Sequence, residues 1–385
     1  MLTANSQQKA RRIPRRWIVV AGLLATVALV WAAMLIPVPY VVHRPGPTVD
    51  VLGKQGDNVV FEFTESSDPD LPSQREPGEG DGQLRMVTVS ESGGPGTRLT
   101  LGELIAARFQ QGTTIRKFSD LYDREVTAQQ LEEASAAQMT SSHSTAAIAA
   151  MDYLGVPMDS TLTIVGAAPG SDAEGKVEDG DILLSVSGPD GVRHTVDRPS
   201  VPFEVMKTMP GGSKMTVTVD RDGEILEIPI VSTAAPQAEP SEGSKMGIYL
   251  DADTELPIDV TIHLERIGGP SAGLIFALGI IDQLTPGGIT GGEVIAGTGA
   301  LSFAGDVMPI GGVKQKMYGA KRDGAEWFLV PQANCDQVLG NEPTDLRVIP
   351  VATLASAVDV VGQIAAGAPA DSFPKCQQTA ESGAN

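Results

Sequence analysis

The chain has 385 residues, 42% of them hydrophobic and 20% charged, with a formal net charge of −20. Those proportions build folded cores and exclude a disordered tail or a fibrous protein. So acidic a body repels phosphate backbones, which disfavours nucleic-acid binding through a basic groove, so no nucleic-acid partner is expected, and two cysteines exclude both a disulfide-dense scaffold and a four-cysteine zinc site.

Residues 1–16 are a basic tail holding Lys9, Arg11, Arg12, Arg15 and Arg16 and no acid. Residues 17–36 follow without a charge, from Trp17 to Ile36. As a helix this run is about 30 Å long, the thickness of a hydrocarbon core, and it predicts one transmembrane anchor. Its competitor is a cleaved secretory signal, whose apolar region is shorter, about 7–15 residues. Basic flanks stay cytoplasmic, so the expected location is a single pass in the cell membrane with the bulk outside the cytoplasm. In that compartment Cys335 and Cys376 are able to pair; the alternative is one buried and one loose thiol.

Residues 37–154 form an N-terminal ectodomain segment, expected to be part of the C-terminal domain or packed on it. Within it 58–63 and 84–89 have the β-branched character of strands, and 64–83 is an acidic, Pro- and Gly-rich loop. Residues 99–110 and 128–154 predict helices, the second broken near 140–144. The string PYVVHRPGPTVDVLG at 39–53 carries no chemistry that composition explains.

Residues 155–232 make a small β-rich module: strands, one helix in PSVPFEVMKTM, and two strands joined at Asp222-Gly223, a strong hairpin signal. Its string PGSDAEGKVEDGDILLSVSG, with Gly180-Asp181-Ile182, resembles the bacterial PDZ family. The resemblance implies that an extended peptide adds to an open sheet edge, with backbone amides holding its terminal carboxylate. Gly155 marks 153–156 as the place for a carboxylate loop. The plain alternative is a spacer without a ligand.

A polar linker at 233–243 leads into 244–365, an α+β unit with an apolar helix at 270–284, strands at 293–302 and 306–310, and a helix at 313–322. Residues 366–385 are a polar tail. Gly269-Pro270-Ser271-Ala272-Gly273 fits G-x-S-x-G, but His43, His143, His194 and His263 all precede Ser271, which closes the α/β-hydrolase order of serine, acid and histidine. A serine without histidine needs another base, and a lysine serves when burial lowers its pKa. Helical spacing does not decide between Lys314 and Lys316.

GGPSAGL at 268–274 and MPIGGVKQK at 308–316 resemble the Lon-type serine–lysine proteases. The resemblance implies that Ser271 is the nucleophile and Lys314, the first lysine after the Gly-Gly pair, its base. Pro270 suits a helix start, so Ser271 is expected beside free backbone amides, and Gly268 and Gly269 permit a substrate backbone to approach. Thr298 either orients the lysine or only ends a strand.

No G-x-x-x-x-G-K-[ST] loop is present in the sequence, so the expected peptidase is ATP-independent, and no motif implies a cofactor or a metal. The whole arrangement is similar to membrane-anchored, PDZ-containing Lon-like proteases. It implies an α+β fold class, a Lon-type proteolytic domain with an inserted PDZ-like module and one N-terminal transmembrane helix. The expected function is a serine endopeptidase acting on unfolded or tagged polypeptides, with a homo-oligomeric ring implied by the family; the alternative is an inactive, tethered PDZ adaptor.

Overall fold

The computed structural model of the chain describes residues 15–64, 71–75, 82–123, 126–234, 243–264 and 267–377, with backbone alone at 15–22. Most of the basic tail, most of the acidic loop and linker and the last residues of the polar tail lie outside these. The chain divides into two units, residues 1–43 with 91–128 and residues 44–90 with 129–385.

In the smaller unit α1 (Arg15–Met34) takes up most of the apolar run. Among the described residues no helix is long and apolar enough to cross a membrane. Strand β1 (Tyr40–Asp50) begins in this unit, and β2 (Gln83–Ser92) ends in it. Helix α2 (Leu101–Ala107) starts on a capping box, with Thr100 accepting the Glu103 N–H and Glu103 accepting the Thr100 N–H. Residues Tyr40 to His43 pair antiparallel with β3 (Thr114–Lys117), over a small core of Val42, Leu99 and Ala107.

In the larger unit α3 (Ala128–Tyr153) is one unbroken helix. The expected break is absent because the hydroxyls there satisfy the helix itself: Thr140 donates to the Ala136 carbonyl and Ser144 to that of Thr140. A β-rich module follows: β4 (Asp159–Ala167), β5 (Ile182–Ser187), β6 (Arg193–Thr195), α4 (Val201–Thr208), β7 (Lys214–Arg221) and β8 (Glu224–Val231). The β7–β8 turn has Asp222 at φ 53° and Gly223 at φ 88°, the left-handed pair that a two-residue hairpin requires.

One more strand belongs to this module, β9 (Ile248–Glu255), which pairs with β4 from Ile248↔Ala167 to Glu255↔Asp159. The module's expected end at residue 232 is thus too early. Alternating burial of Ile248, Leu250 and Ala252 against the module's core returns the chain to it after the linker. The sheet order is β8-β7-β5-β4-β9, with β6 paired to β5. The module has its own core, including Leu162, Ile164, Leu183, Val217 and Ile230. The Gly180-Asp181-Ile182 motif is structural: Arg221 grips Asp181 through Nε and Nη2 at 2.6 and 2.7 Å and holds its carboxyl below the usual range.

The remaining elements are α5 (Gly273–Gln283), β10 (Val294–Gly297), the short hairpin β11 (Ala300–Leu301) and β12 (Val307–Met308), α6 (Val313–Arg322), β13 (Trp327–Pro331), α7 (Cys335–Val338), β14 (Arg347–Val351) and α8 (Leu354–Ala365). Strands β14, β13, β10 and β2 are neighbours in that order, and β10 is parallel to both β13 and β2. Against this sheet lies α5, every residue of which is buried, as its continuous apolar sequence demands. The Cys335–Cys376 disulfide is formed, with Cα atoms 5.1 Å apart.

The string at 39–53 finds its role here. Arg322, at the end of α6, donates to the Pro45 and Gly46 carbonyls at 3.3 and 2.8 Å, and Thr48 donates to Asp323 at 2.9 Å. Asp50 accepts the Leu52 and Leu84 N–H groups, both at 3.2 Å. A Cβ at Gly46 would stand 2.8 Å from the Thr88 carbonyl, so only glycine fits where these backbones meet.

Candidate active site

Ser271 lies at the entrance to α5 rather than in its first turn: the helix starts at Gly273 with Ala272 as its cap. The residue is fixed through its own carbonyl, which accepts from the Thr298 hydroxyl and the Gly299 N–H, both at 2.9 Å. The preceding loop is tied to α3. The Gly269 N–H donates to the Ser135 carbonyl at 3.1 Å, and Ser142 donates to the Pro270 carbonyl at 3.3 Å. The close approach expected of a substrate at Gly268 is taken by α3, since a Cβ there would meet the Ser135 side chain.

The lysine beside Ser271 is Lys316, and not the Lys314 that the resemblance implied. Lys316 Nζ stands 2.8 Å from Ser271 Oγ and 3.0 Å from Thr298 Oγ1. Residues two apart on an α-helix point about 200° away from each other, so only one of the two lysines can face α5. Lys316 shares its stripe with Val313 and Ala320, both fully buried, whereas Lys314 shares its own with half-buried Tyr318 and Lys321.

The lysine is 3% exposed and makes no ion pair among the described residues. Burial without a compensating carboxylate pushes its pKa down to about 7. Thr298 sets the direction of the hydrogen bonds. A carbonyl only accepts, so the threonine proton is spent on the Ser271 carbonyl and Thr298 Oγ1 must accept from Lys316. The lone pair of the neutral amine is then available to the Ser271 hydroxyl.

The start of α6 is held by groups that the sequence did not single out. Gly312 caps it at φ 73°, and a Cβ there would stand 2.6 Å from Val89 Cγ2. The Asn334 side chain accepts the Ile310 N–H at 2.9 Å and donates to the Ile310 carbonyl at 3.0 Å. Neither Asn334, Ser135 nor Ser142 belongs to a short motif; each lies far along the chain from what it holds. On α3, His143 sits edge-on to Phe276 at 5.0 Å, with burial lowering its pKa. Among the described residues no group of three or more His, Cys, Asp or Glu side chains is placed to hold a metal ion.

Residues 206–365 match the Lon protease (S16) C-terminal proteolytic domain. The Lon protease of Vibrio parahaemolyticus is 32% identical over 152 residues, 38% of this chain and 18% of that protein. The Lon protease of Rhizobium meliloti is 29% identical over 161 residues, 39% of this chain and 19% of that protein. The chain thus spans about a fifth of the length of these relatives. Among solved structures, the PDZ domain of an SdrC-like protein from Listeria innocua is similar to 23% of this chain and 92% of that domain, at 16% identity and a TM-score of 0.19. The sequence matches support a Lon-like serine protease, with Ser271, Thr298 and Lys316 all inside the matched segment.

Proposed function

We propose that the chain is an ATP-independent serine endopeptidase, anchored at the cell membrane with its bulk outside the cytoplasm, in which Ser271 is the nucleophile and Lys316 the general base. The observation that carries the reading is the 2.8 Å approach of a desolvated lysine amine to the serine hydroxyl. With its pKa near 7 the amine is substantially neutral at physiological pH and able to take the hydroxyl proton.

The alkoxide attacks the peptide carbonyl. The Ala272 and Gly273 amides at the start of α5 lie before the first intrahelical hydrogen bond and are suited to hold the oxyanion. Lys316, now protonated, gives its proton to the leaving amine, and the same residue then activates the water that releases the acyl group. Thr298 keeps the amine aimed throughout. The anchor and the orientation rest on the uncharged run at 17–36 and its basic flank. The PDZ-like module is read as presenting polypeptide substrates, on the support of its motif and its sheet with β9 at one edge.

The test uses the full chain in detergent micelles with a reduced, alkylated protein as substrate. The reading expects cleavage that is lost in both Ser271→Ala and Lys316→Met. Equal background cleavage in all three proteins supports the inactive adaptor instead.

A further inference from the structure

Between α4 and the start of β9 lies a cavity of about 390 Å³, lined among others by Phe203, Lys207, Ser244 and Ile248, and walled on one side by Ser302, Asp306 and Met308 of the β11–β12 hairpin. Lys207 Nζ pairs with Asp306 Oδ1 at 2.6 Å, and the Phe203 and Phe303 rings stand 6.2 Å apart. The cavity is thus built from two modules. The hairpin it touches follows Thr298 and Gly299, which hold the Ser271 carbonyl, and precedes α6, which carries Lys316.

Two features fit the cavity to an extended peptide with a free C-terminal carboxylate. Among the described residues strand β9 pairs with β4 alone, which leaves its other edge for a peptide strand. The Ser244 hydroxyl is 5% exposed and has no hydrogen-bond partner among the described residues, although buried hydroxyls are normally satisfied. Lys207 and Lys245 are the cations that line the cavity, and the charge of Lys207 is met by Asp306. Asp306 in turn closes the hairpin, its N–H donating to Ser302 Oγ at 3.0 Å and its carbonyl accepting from the Ser302 N–H at 3.0 Å.

We propose that Asp306 is a positioning residue through which the groove regulates the dyad. A peptide carboxylate bound at Ser244 and Lys207 competes with Asp306 for the lysine. The hairpin then loses its tie to α4, Thr298 and Gly299 hold Ser271 less firmly, and the serine reacts more slowly. Peptides released by cleavage would act as feedback ligands. This inference rests on the peptide-binding reading of the PDZ-like module and deepens it.

The test adds an N-acetylated hexapeptide ending in Val-Ala-Leu, as the free acid and as the C-terminal amide, to the full chain in micelles. The readouts are the rate at which a fluorophosphonate labels Ser271 and the hydrogen exchange of residues 302–308. The free acid is expected to slow labelling about twofold to fivefold, the range for a partly exposed ion pair, and to speed exchange, while the amide does neither. Lys207→Met should be slow already and indifferent to the peptide, and Lys207→Asp combined with Asp306→Lys should recover the faster rate. Absence of binding overturns the proposal, as does binding that changes neither readout. If wild type is not labelled, the dyad reading has failed, and exchange at 302–308 still decides whether the groove and hairpin are coupled.

Discussion

Lys314 and Lys316 lie on opposite sides of α6, and only Lys316 meets Ser271. Exchanging each for methionine should therefore separate them. Lys316→Met is expected to lower kcat for protein cleavage by at least about a thousandfold, the order seen when a general base is removed. Lys316→Arg should do the same, because a guanidinium has no neutral form near pH 7. Lys314→Met should stay within about twofold of wild type. Initial rates with a quenched fluorescent polypeptide measure all three.

The depressed pKa of Lys316 fixes the sign of the pH dependence. Its neutral form is the base, so kcat/KM should fall about tenfold per pH unit below about 7 and level off above it. Stability moves with the same group. A lysine whose folded pKa lies below its unfolded value of 10.5 opposes folding fully below about pH 7, and this cost disappears as the pH rises past 10.5. Lys316→Met is accordingly expected to unfold at a higher temperature than wild type. The stabilisation is on the order of several kcal/mol at pH 6 and shrinks by pH 9, as thermal melts at the two values would report.

Thr298 both donates to the Ser271 carbonyl and accepts from Lys316. Thr298→Val keeps the shape and removes both bonds. Its expected effect is a loss of about tenfold to a hundredfold in kcat, with the apparent pKa of the profile moving further below 7 as the amine keeps only the Ser271 hydroxyl of its two polar neighbours. Thr298→Ser should restore most of the rate and the original profile, which a merely packing role for the methyl group would not do.

The disulfide closes a separation of 41 residues and ties Cys376 to α7, near where Phe373 stacks edge-on against Trp327 at 5.3 Å. Replacing both cysteines by alanine should cost about 2–4 kcal/mol and lower the melting temperature. The site lies on other elements, so cleavage at low temperature should be retained. Melting and activity of the double variant, measured side by side, check this.

Much of this was readable in the sequence where local rules dominate. The period of the helix at 313–322, the Asp222-Gly223 hairpin and the serine at a Gly-Pro turn each depend on a few neighbouring residues. What could not be read depends on the third dimension. The choice between Lys314 and Lys316 turns on which side of α6 faces α5, and both lysines follow the same glycine pair. Strand β9 sits beyond a linker, so its membership of the β-rich module is a long-range pairing with β4. Asn334, Ser135 and Ser142 act through single hydrogen bonds across the fold, which leave no pattern along the chain.

The central claim is that one hydroxyl is made reactive by one buried amine. A fluorophosphonate added to the full chain in micelles, followed by tandem mass spectrometry of the digested protein, tests it most directly. The account predicts a single adduct on Ser271 that forms faster as the pH rises through about 7 and is all but lost in Lys316→Met. An adduct on another residue, or one that forms on Ser271 equally well without Lys316, would contradict it.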